Sequence, residues 1–166
     1  MEIVFYISAA VAIVATVMVI TSVHAIHALL YTIVSLLAVA LVFYVLGAPF
    51  VAALEVIIYA GAIMVLFVFV VMMLNLGAET VAEEWMGWSP TALVGAAILA
   101  LILLGELAYM LVAGGYHQLG GSAVEPKQVG IALFGPYVLG AELASTLLLA
   151  GLVGAYHLGR RQRSDE

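Results

Sequence analysis

The chain has no cysteine, and of its 166 residues only four are Lys or Arg, none of them before residue 127. Without thiolates it can hold no iron–sulfur cluster, no thiolate-bound metal and no disulfide. Any electron transfer it serves must therefore occur in another subunit. Without a basic surface it cannot neutralise phosphates, which excludes DNA and RNA as partners. No strand pattern is visible and no GxGxxG follows one, so a dinucleotide fold is unsupported as well. What remains is apolar. Charged side chains make up 8% of the chain and hydrophobic ones 67%, with a mean hydropathy of +1.29. These values lie far outside the soluble range and define an all-α integral membrane protein.

A secretory signal would open with Lys or Arg and close on a small-residue cleavage site, whereas this chain opens Met1-Glu2 and stays apolar to Ile20. The first segment is expected to be a retained span. Five stretches reach the roughly 20 residues a helix needs to cross the hydrocarbon core: 3–20, 28–46, 50–75, 91–112 and 137–157. Together they form a single transmembrane domain, 1–166, with a short tail at 158–166. The breaks carry turn and interface residues: Thr21-Ser22 with His24 and His27, Gly47-Ala48-Pro49, Gly77 to Pro90, and Gly114 to Pro136. Pro49 and Pro90 suit first helical turns, and Gly135-Pro136 suits the start of the fifth helix. Arg160, Arg161 and Arg163 follow the last span and place the C-terminus in the cytoplasm, with Lys127 alone on the opposite side. With five spans the N-terminus is then periplasmic. No internal repeat is visible, and an odd span count argues against a complete inverted-repeat transporter.

Within the third span, Glu55 and Tyr59 stand four residues apart and share one helix face, which Ile63 and Leu66 continue. An acid inside a span usually faces a bundle interior or a hydrated path. Two readings stand: a proton path lined by Glu55 and Tyr59, or a shallow, interfacial Glu beside a packed phenol. Gly61, between Ala60 and Ala62, offers either tight helix packing or room for a local π-bulge. Asn75, beside Met72 and Met73, reads as a helix terminator near Gly77. Glu106 is expected to be a solvated carboxylate near the outer end of the fourth span, and Glu142 a shallow acid favoured by an early helix position. His24 and His27 share a face without a third ligand, and His117 and His157 also lie at span edges, so neither metal nor haem is expected. Glu79, Glu83 and Glu84 with Trp85 and Trp88 read as a solvated loop with interfacial aromatics, or as a docking surface for a cytoplasmic partner.

Three blocks in order, HALLYTIVSLL, ALEVIIYAGAIMVLFVFVVMMLNLG and LFGPYVLGAELASTLLLAGLVGAYHLGR, resemble the subunit J family. That family is the membrane chain of the proton-pumping NADH:quinone oxidoreductase of bacteria, respiratory complex I, equivalent to the sixth mitochondrially encoded subunit. The resemblance covers roughly Met1 to Arg161. It implies a non-redox subunit of a translocase in the bacterial inner membrane, with no catalytic site of its own. FMN, iron–sulfur clusters, NADH and quinone are implied in other subunits. The implied neighbours are subunits A, H and K and the antiporter-like subunits. The resemblance further implies a π-bulge in the third helix that forms and relaxes, with its hinge at Tyr59, Ala60, Gly61, Ala62 and Ile63. Glu55 and Tyr59 would then line a water path that Val65 and Leu66 gate, with Glu142 a secondary acid. Relatives in multisubunit cation/proton antiporters and a passive scaffold in the membrane arm are the rival readings.

Overall fold

Long apolar runs can satisfy their backbone in hydrocarbon only by bonding it internally, and here they do so as helices. A computed structural model describes residues 1–73, 90–112 and 123–159. The helices are α1 Glu2–Thr21, α2 Ala25–Val45, α3 Pro49–Met73, α4 Pro90–Val112, α5 Pro126–Phe134 and α6 Val138–Gly159. All but α5 are long and apolar enough to cross a membrane. Proline opens α3, α4 and α5, where its missing donor costs nothing. The expected Asn75 cap, the Glu79 to Trp88 loop, His117 and Arg160 to Arg163 lie outside the described residues.

The chain divides into two units, Met1–Val124 and Glu125–Glu166. In the first, α1 and α2 run antiparallel along a seam of small residues, with Ala15 and Ala38 wholly buried beside Val11, Val34 and Leu103. Lipid tails are as apolar as leucine, so such pairing rests on close packing and interhelical hydrogen bonds rather than on the hydrophobic effect. The bonds are present. The Thr16 and Ser35 hydroxyls lie 2.9 Å apart, and Ser35 Oγ donates to the Ala12 carbonyl at 3.2 Å. At the other end of the seam Val4, Val45 and Met110 bring α4 onto the pair. Gly95 of α4 faces the hydroxyl of Tyr31, itself only 2% exposed, so closely that any Cβ there would collide with it.

The α2–α3 turn is closed by Gly47, whose φ of 91° lies in the left-handed region. Its amide donates to the Tyr44 carbonyl and that of Ala48 to Phe43, the paired bonds of a Schellman ending. In the second unit, α5 corrects the expectation that residues 114–136 are wholly a break. Its start is fixed by Pro126 and by Gln128, whose side-chain oxygen accepts from the Glu125 amide at 3.3 Å. Glu125 and Gln128, three residues apart with Pro126 between them, are the local signal for this helix start. The Gly135–Tyr137 turn then precedes α6, which begins at Val138, two residues after the expected proline start.

A π-wound segment in the third span

The middle of α3 is not α-helical. Residues Glu55–Ile63 wind as a π-helix between α-helical arms Pro49–Leu54 and Met64–Met73. At its end the Met64 amide reaches both the Tyr59 carbonyl, five residues back, and the Gly61 carbonyl. Such wide turns are rare and concentrate at functional sites. The segment contains all five expected hinge residues, Tyr59, Ala60, Gly61, Ala62 and Ile63, and extends four residues further toward the N-terminus to include Glu55. The extension was not legible, because Val56, Ile57 and Ile58 fit an α-helix equally well.

Gly61 is the narrow point of this winding. A Cβ built there would lie 3.1 Å from the Val56 carbonyl oxygen, tighter than ordinary contact. Ala60 and Ala62 beside it keep the side-chain layer thin. Against its own chain α3 leans on α2 and buries Ala52 alone. Glu55 is therefore only half-buried, and Tyr59 is 50% exposed. Val65 and Leu66, the expected gate, are 64% and 60% exposed. The structure thus brings Glu55, Tyr59 and the other expected hinge residues into one wide-wound segment, whose stretch from Val56 to Tyr59 is exposed.

A cavity of about 650 Å³ opens between α2, α3 and α4. Tyr44, Ala52, Val56, Leu103, Leu107 and Met110 are among its lining, which makes it apolar. Val56 belongs to the π segment, but Glu55 and Tyr59 do not face this space.

Two other acids were singled out from the sequence. Glu142 sits exposed on α6, where its backbone carbonyl accepts from Thr146 Oγ1 at 2.9 Å. Glu106 corrects the expectation of a solvated carboxylate: it is only 8% exposed and accepts a 2.7 Å hydrogen bond from Ser8 Oγ of α1. Its spacing from Leu103 and Met110 puts all three on the buried stripe of α4, but Leu101, Ile102, Leu104 and Leu107 make that helix apolar all round and hide the stripe in the sequence. The His24 and His27 rings lie 5.3 Å apart, and among the described residues no three potential ligands gather into a metal site.

Five helices long and apolar enough to cross a membrane among the described residues, the third of them π-wound in its middle, define a multi-pass membrane protein. The model of the family NADH-ubiquinone/plastoquinone oxidoreductase chain 6 matches residues 15–158, and the chain belongs to that family. It is 54% identical over 166 residues to NADH-quinone oxidoreductase subunit J of Escherichia coli K12, covering all of this chain and 90% of that one. It is 56% identical to the subunit J of Pseudomonas aeruginosa over 162 residues, 97% of this chain and 98% of the relative. The subunit J of Buchnera aphidicola from Schizaphis graminum is 45% identical over 163 residues, 98% of this chain and all of the relative.

Proposed function

We propose that the chain works as the J-type membrane subunit of an NADH:quinone oxidoreductase, and that its third span gates a proton path coupled to quinone reduction. The observation that carries this reading is the nine-residue π segment, which holds a half-buried Glu55 and a half-exposed Tyr59. A π turn uses one residue more than an α turn. Relaxing one to α winding rotates everything beyond it by about one residue's arc, roughly 100°. The rotation carries Val65 and Leu66 around the helix axis, so one winding presents aliphatic side chains where the other leaves room for water. Glu55 and Tyr59 supply groups that can hold that water at the outer end of the path.

The energy difference that drives the switch comes from quinone chemistry in another subunit. This chain supplies no thiolate to hold a redox cluster, in keeping with FMN and iron–sulfur clusters residing elsewhere in the complex. The exposed faces of α3 and α6 suit neighbouring helices, for which subunits A, H, K and the antiporter-like subunits are the candidates. The positive-inside rule, applied to Arg160, Arg161 and Arg163, supports a cytoplasmic C-terminus and, with five spans, a periplasmic N-terminus.

An affinity tag after Glu166, followed by mild-detergent purification, tests the assignment. Co-purification of flavin and iron–sulfur subunits with NADH:quinone reductase activity is expected. Recovery of antiporter subunits without NADH oxidation would overturn it in favour of an ion exchanger.

A further inference from the structure

The buried carboxyl of Glu106 lies on α4, outside the π segment of α3. Glu106 lies six residues before the end of α4 and Ser8 six residues after the start of α1, so each is about 9 Å inside its helix end. Ser8 is wholly buried and Glu106 more than nine-tenths so, and one carboxyl oxygen, Oε2, meets Ser8 Oγ at 2.7 Å. The other, Oε1, is shut away from the surface with no hydrogen-bond partner.

An ionised carboxylate in that position would need a cation or several donors. The titratable side chains on the elements packed around it are Glu2 and Tyr6 of α1, His27, Tyr31 and Tyr44 of α2, and Tyr109 of α4. His27 belongs to the opposite end of the bundle, since about 20 Å of α1 rise separates Ser8 from the α1–α2 turn. The amino group of Met1 lies two turns, about 10 Å, beyond Ser8. No Lys or Arg precedes residue 127. An unpaired buried charge is far costlier than a neutral acid with one unpartnered oxygen.

We propose that Ser8 and Glu106 form a closed proton-holding site, in which Glu106 is a neutral carboxylic acid clamping α4 to α1. Ser8 Oγ donates to Oε2, which is the carbonyl oxygen of the acid, and the proton sits on Oε1.

Infrared spectroscopy of the purified, lipid-embedded complex carrying this chain tests the site. The expected result is a carboxylic-acid C=O band that is lost in Glu106→Gln and shifted to higher frequency in Ser8→Ala, where the hydrogen bond is missing. Loss of a carboxylate band instead, or an acid region unchanged by both variants, overturns the proposal. Should Glu106→Gln not assemble, the shift in Ser8→Ala decides alone, because removal of one hydroxyl leaves the α1–α4 packing intact.

Discussion

Replacing Gly61 should shift the balance between the two windings of α3, and the size of the shift follows from one contact. Gly-to-Ala changes normally favour a helix by up to about 1 kcal/mol, but that gain is measured against the unfolded chain and is common to π and α winding. It cancels. What does not cancel is the Cβ that would lie 3.1 Å from the Val56 carbonyl oxygen in the π form. Relief of a few tenths of an ångström by bond-angle flexing costs about 0.5–1 kcal/mol, a two- to fivefold shift toward α winding for Gly61→Ala. Valine adds two branches fixed against the preceding turn. Overpacking of that kind costs about 1–3 kcal/mol, so Gly61→Val should shift the balance by roughly 5- to 150-fold. In inverted membrane vesicles, NADH oxidation and dye-reported proton uptake would be read together with the amount of assembled complex. Gly61→Val should lower protons moved per NADH while assembly stays near wild type. Gly105→Ala is the control, since a Cβ at Gly105 meets nothing within 4 Å. Wild-type pumping by Gly61→Val would refute a winding gate, and so would an equal loss from Gly105→Ala.

Gly95→Ala drives a methyl into the Tyr31 hydroxyl and should cost about 1–3 kcal/mol, read as a lower yield of complex or a lower melting temperature. Gly95→Ala with Tyr31→Phe should recover part of that loss; no recovery would mean that the collision is not the cause. Ala38→Leu inserts bulk into the wholly buried α1–α2 seam and should destabilise by a similar amount, about 1–3 kcal/mol, seen as detergent-induced dissociation at lower temperature. Glu55→Gln should reduce pumping only in part, because Glu55 lies about 9 Å inside the start of α3, where water is near; complete loss of proton uptake would make it indispensable instead. Substituting Tyr59 and Leu66 together should lower coupling with assembly intact, whereas unchanged coupling would leave α3 a scaffold.

Hydropathy alone determined the five helices that are long and apolar enough to cross a membrane among the described residues, because an apolar run of that length in hydrocarbon has no alternative to an internally bonded helix. Proline and glycine marked the turns for equally local reasons: a fixed φ with no donor at Pro49 and Pro90, and a left-handed φ at Gly47. The small residues Ala60, Gly61 and Ala62 allowed either tight packing or a wide turn, and the family resemblance, not the motif, put the expected hinge there. Two things waited for the tertiary structure. The reach of the π winding back to Glu55 depends on the summed preference of nine residues and of α2 beside them, and no single side chain encodes that sum. The fate of Glu106 was decided by which face of α4 meets α1. A carboxylate at the same depth is solvated if it points outward and bonded to Ser8 if it points inward. In a chain apolar all round, periodicity is too weak to say which, and only the packing of one helix on another sets the direction.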